Sequence, residues 1–154
     1  MSKIRIKHFG PIKEGYQEND GWLEVKKVTV FIGNQGSGKS TLAKVISVLT
    51  WLEKAINRGD VDISKMYKAL FYDFFNYQRI ESYFKDDTEI EYVGERVRIH
   101  YKTEFEYPEI KLLNSTEYNV PKVMYVPAER NFLSVINNAF ESKNLPDTLY
   151  TFAQ

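Results

Sequence analysis

Gly33-Asn34-Gln35-Gly36-Ser37-Gly38-Lys39-Ser40 fits G-x-x-x-x-G-K-[ST] at every fixed position, and Thr41 follows. A chance match in a chain of average composition and this length has a probability on the order of 0.5 %. Such a run can bind polyphosphate. Its glycines let the backbone wrap an anion with N–H groups pointing inward, and the positive end of a following helix faces the same charge. Lys39 adds an ammonium able to reach β- and γ-phosphates. The Ser40 hydroxyl is placed to ligate a magnesium ion bridging them, and Thr41 to donate to the α-phosphate. The candidate nucleotide-binding residues are therefore Gly33, Asn34, Gln35, Gly36, Ser37, Gly38, Lys39, Ser40 and Thr41, with ATP and magnesium as ligands and Ser40 on the metal. The plainer alternative is a glycine-rich turn that only joins strand to helix.

Phosphate binding needs a strand before this loop and a helix after it. Val28-Thr29-Val30-Phe31-Ile32 is β-branched and almost continuously apolar, which predicts a central strand covered on both faces and ending at Gly33. From Lys39 the period changes: Leu42, Val45, Ile46, Leu49, Leu52 and Ile56 fall at helical spacing, and Arg58-Gly59 is a stop signal. Upstream, residues 3–9 alternate basic with apolar as a half-buried strand does, a turn follows at Gly10-Pro11, and residues 22–25 predict a short strand. Lys3, Arg5 and Lys7 share one side of the first strand, either as a solvated face or as a contact for a phosphate backbone.

Downstream, Asp62 can cap a second helix over 62–84, with Ile63, Met66, Tyr67, Leu70, Phe71, Phe74 and Tyr77 as a packing stripe. Ile90 and Tyr92, a turn at Gly94, and apolar Val97, Ile99, Tyr101, Thr103, Phe105 and Tyr107 against polar even positions predict an antiparallel hairpin with one wet face. Residues 123–126 predict a buried strand stopped by Pro127, and 132–140 a short helix. Ligands of open α/β sheets gather at strand ends, so that strand would aim Glu129 and Arg130 at the nucleotide as candidate catalytic groups, against an ordinary helix-start pair.

The chain has 154 residues, 43 % apolar and 15 % aromatic, enough for one packed domain and not the composition of a disordered chain. Lys plus Arg and Asp plus Glu both total 21, so no global field draws it to nucleic acid or anionic lipid. Without cysteine there is no disulfide, thiolate metal site or cysteine nucleophile, and His8 and His100 are poor material for a zinc cage. No run approaches the roughly 18–20 apolar residues of a membrane span, and the polar N-terminus is no signal peptide, so a cytoplasmic protein with no membrane partner is expected.

A GTPase would also need Asn-Lys-x-Asp and Asp-x-x-Gly, and neither occurs. An acidic strand end for magnesium and water is also missing: Asp73, after Ala69-Leu70-Phe71-Tyr72, lies within a helical pattern. The nearest string to a Leu-Ser-Gly-Gly signature, Leu133-Ser134-Val135, lacks glycine.

Ile4-Arg5-Ile6-Lys7-His8-Phe9-Gly10-Pro11-Ile12, then Val28-Thr29-Val30-Phe31-Ile32-Gly33 and the loop, resembles the opening of ABC-type ATPase heads of the RecF, SMC and overcoming-lysogenization-defect group. Tyr125-Val126-Pro127-Ala128-Glu129-Arg130-Asn131 is similar to a later segment of bacterial AAA-type proteins of this kind. The resemblance implies an α/β fold: the N-lobe of a P-loop NTPase, with a mixed, partly antiparallel sheet packed on the P-loop helix. It further implies that residues 1–154 are a partial ATPase head without its C-lobe, incomplete for hydrolysis alone. A second head would then be the partner across ATP, and DNA or a nuclease the target by analogy. The alternatives are a small P-loop kinase and a nucleotide-binding interaction module whose aromatic helix 62–84 docks a partner.

Overall fold

A computed structural model of the chain describes residues 2–114 and 123–125. Its centre is a five-stranded sheet in the order β2-β1-β3-β4-β5, formed by β1 (Ser2–Lys7), β2 (Leu23–Val25), β3 (Glu89–Val93), β4 (Val97–Lys102) and β5 (Glu109–Leu112). All four pairings are antiparallel, so the expected mixed sheet is purely antiparallel over the described residues.

Alternation sorts the sheet into two faces. Ile4 and Ile6 of β1 stand beside Tyr92 and Ile90 of β3, which in turn meet Ile99 and Tyr101 of β4, and all six are buried. Against this face packs α1 (Lys39–Arg58) through Val45, Val48, Leu49, Leu52 and Ile56. Gly59 takes a left-handed conformation and ends the helix where the sequence pattern stops. The shorter α2 (Lys68–Asn76) adds Phe71 and Phe75, whose rings meet Phe84 and Tyr101 at centroid distances of 4.9–6.2 Å.

The expected helix over 62–84 is broken. Asp62 does cap, accepting from Ser64 N at 3.0 Å, but only a one-turn helix at Ile63–Lys65. Extended Met66 and Tyr67 precede α2, and a second one-turn helix spans Glu81–Tyr83. Met66, Phe71, Phe75 and Ile80 are all buried. Five-residue steps rotate by about 140° at 3.6 residues per turn, so a continuous helix could not turn all four inward. Asp73 lies exposed on α2, as a helix residue.

The larger departure concerns residues 28–32, which form no strand. Val28, Val30 and Ile32 are 78 %, 74 % and 92 % exposed, while Thr29 and Phe31 are half-buried against the domain. The pattern expected two covering layers, and only one is found. A central strand needs a neighbour on each edge to satisfy its ladder, and no described strand pairs with this run. Val30→Asp is accordingly expected to move stability by no more than about 0.5 kcal/mol. Urea unfolding checks this, since a central buried strand would lose several times as much.

Of the expected strand at 123–126, the described residues Val123, Met124 and Tyr125 are not in a strand, and Met124 is exposed. Val126, Pro127, Glu129, Arg130 and the helix at 132–140 lie outside the described residues. No described helix is long and apolar enough to cross a membrane.

Candidate functional site

The candidate nucleotide-binding residues sit where the chain enters α1. Gly38 is the N-cap of that helix with φ +90°, a backbone conformation that costs a residue with a Cβ. Space requires glycine there as well, because a Cβ on Gly38 would lie 2.7 Å from Ile12 Cγ1. Ile12 itself is fixed by the tight turn that returns from β1, in which Phe9 and Ile12 pair across Gly10-Pro11. The end of the loop is thereby held against the turn that follows β1.

Gly33, Asn34, Gln35, Gly36 and Ser37 are exposed, as is Ser40 on the first turn of α1. Thr41, by contrast, is buried. Lys39 folds back over the loop, donating from Nζ to Gly33 O at 2.7 Å, Asn34 O at 2.6 Å and Ser37 Oγ at 3.4 Å. Beside it opens a cleft of about 1040 Å³ between the loop, residues 28–32 and the β1–β2 connection. Lys39, Gly33, Lys13, Tyr16 and Trp22 are among the residues that line it.

A second polar cluster, which the sequence did not single out, lies on the other face of the sheet. Glu89, Glu91 and His100 place ligand-type atoms within 4.8 Å of one another. Register explains the meeting: Arg5 opposes Glu91, and Glu91 opposes His100. Both Glu91 carboxylate oxygens are already taken, one by Arg5 Nη2 at 2.5 Å and the other by Arg98 Nη2. His100 lies between Glu89 at 3.5 Å and Glu109 at 3.4 Å. With both Glu91 oxygens held by guanidiniums, the cluster reads as an ion-pair network and not as a cation site. It also occupies part of the basic stripe on β1, since Arg5 serves Glu91 and Lys3 stands 4.4 Å over the Trp22 ring.

Burial alone would raise the Glu91 pKa, but the hydrogen bonds and charges of Arg98 and Arg5 outweigh it and hold the carboxyl below its usual range. A carboxylate depressed in the folded state contributes stability above its unfolded pKa and loses it as pH falls through the folded value. Glu91→Gln should therefore flatten the acid limb of stability below about pH 4.5, as read from urea midpoints across pH. An unchanged acid limb would show that Glu91 is not among the groups responsible.

No protein-family model, curated protein or solved structure matches this chain.

Proposed function

We propose that this chain binds magnesium-ATP through residues 33–41, as the nucleotide-binding lobe of a RecF/SMC-like ATPase. One observation carries the reading: a full G-x-x-x-x-G-K-[ST] run lies at the N-terminus of a 20-residue helix, with Lys39 turned over the loop and Ser40 exposed beside it. Backbone N–H groups and the helix terminus supply fixed positive potential for phosphates. When bound, magnesium would neutralise phosphate charge, with Ser40 as its protein ligand. The adjoining cleft offers room for a nucleoside, and Tyr16 and Trp22 offer aromatic surface for a base.

Apolar, unpaired residues 28–32 next to the loop favour the lobe reading over a self-sufficient kinase, because such a run is built to be covered by further sheet. A second head across ATP, and DNA or a nuclease as target, follow from the sequence resemblance alone.

The test is a calorimetric titration with ATP in the presence and absence of magnesium, paired with phosphate release at saturation. Expected are magnesium-dependent binding and negligible turnover, since the sequence offers no apolar strand ending in an acidic residue to position water. Failure to bind overturns the proposal. Transfer of phosphate to a small acceptor would instead establish the kinase, and turnover abolished by Lys39→Ala would call for a catalytic carboxylate, with Glu129 tested first.

A further inference from the structure

β5 is an edge of the sheet, and no described strand pairs with its outer side. Leu113 N donates to Arg96 O at 2.7 Å, so the odd-numbered residues here turn their backbone groups toward β4. The N–H and C=O groups of Ile110 and Leu112 therefore face outward from the edge. Side chains divide as well. Ile110 stands opposite buried Ile99 and Leu112 opposite buried Val97, yet Leu112 is 68 % exposed, so the apolar face runs uncovered to the edge. On the polar face Glu109 stands opposite His100 and Lys111 opposite Arg98, with no ion pair to Lys111 among the described residues.

Edge strands are commonly guarded against further pairing by being short and charged. In β5 the two charges are opposite in sign and two residues apart, a pattern that repels neighbouring registers of a second copy and admits one. We propose that β5 is the contact of a symmetric homodimer, pairing antiparallel with β5 of a second copy so that Ile110 opposes its own counterpart and each Glu109 opposes the other chain's Lys111. A two-fold axis requires such self-complementarity. In this register the Ile110 N–H and C=O groups bond reciprocally across the axis, and each Leu112 N–H reaches the Pro108 carbonyl of the other chain. Sliding by two residues, the smallest step that keeps outward backbone groups facing each other, brings Lys111 onto Lys111 or Glu109 onto Glu109, and like charges directly opposite are destabilising. Charge thus selects the register. Glu109 of the second copy supplies the anion that Lys111 lacks beside Arg98, and the exposed Leu112 gains cover. Strands of four residues make a small contact, of the weak class that buries less than about 1,200 Å².

The test is sedimentation velocity on the full chain from about 10 μM to 1 mM, a range that brackets weak association. A monomer–dimer equilibrium is expected in wild type. Glu109→Lys alone sets like charges opposite each other, as does Lys111→Glu alone, and each is expected to weaken the dimer about tenfold or more. An equimolar mixture of the two variants places every lysine opposite a glutamate, so a heterodimer of affinity comparable to wild type is expected. Recovery in the mixture also shows that both variants fold. A wild type monomeric over the whole range overturns the proposal, and so does a dimer that both variants retain or that the mixture fails to restore. Because the chain has no cysteine, Ile110→Cys gives a second measurement: oxidation is expected to link it across the axis, where paired residues stand about 5.5 Å apart. Glu109→Cys, displaced from its counterpart, should link much more slowly, and equal rates overturn the register.

Discussion

Lys39→Ala is expected to weaken magnesium-ATP binding by about one to two orders of magnitude. The figure follows from roughly 1.5–3 kcal/mol for hydrogen bonds to charged groups, at 1.4 kcal/mol per factor of ten. Two losses combine in the variant. The phosphates lose a cation, and the loop loses the bonds from Lys39 to Gly33 O and Asn34 O. Calorimetry on both proteins at one salt concentration decides the matter, because exposed charge interactions fall with ionic strength. Equal affinities would remove Lys39 from the phosphate site. Fold stability should hardly change, since Lys39 contacts only its own exposed loop through these bonds.

Gly94→Ala is expected to destabilise the domain by about 2–4 kcal/mol, because it breaks hydrogen bonds to a charged group worth roughly 1.5–3 kcal/mol each. Gly94 forms the β3–β4 turn, with its N–H donating to Val97 O at 2.9 Å. Glu53 of α1 points into this turn, is buried, and accepts from Tyr92 Oη at 2.8 Å and from Arg96 N at 2.6 Å. A Cβ on Gly94 would lie 2.3–2.5 Å from the Glu53 carboxylate. Alanine must therefore displace the carboxylate, leaving the Tyr92 hydroxyl and Arg96 N–H without it. Burial and the Glu53 charge already push the Tyr92 phenol pKa above its usual value, so the hydroxyl stays protonated as the donor. Urea unfolding of Gly94→Ala, Glu53→Ala and the double variant separates the causes. The alanine at 94 should cost well under half as much once Glu53 is gone, whereas additive losses would place the origin elsewhere.

The bounds of α1 were legible because a helix writes its buried face into the sequence every three or four residues, and Gly59 marks its end. The β3–β4 hairpin was legible for the matching reason: Val97, Ile99 and Tyr101 alternate with polar neighbours and are buried as expected. The phosphate-loop pattern, too, is a local signal, and its place at a helix start followed from residues within a few positions of it. Strand β5 escaped notice because four residues at a sheet edge, with Leu112 exposed, carry too short an alternation.

Tertiary structure alone decided three things. Periodicity states that residues 28–32 are apolar on both sides but cannot say what covers them, because strand neighbours come from far along the chain; here Val28, Val30 and Ile32 stand exposed. It likewise gives no reason to join Glu53 to Gly94, which meet only because α1 crosses the end of the hairpin. Arg5 joins Glu91 of the hairpin only through antiparallel register between β1 and β3, with 86 positions between the two residues, and a shift by one position would have turned these charges toward the core.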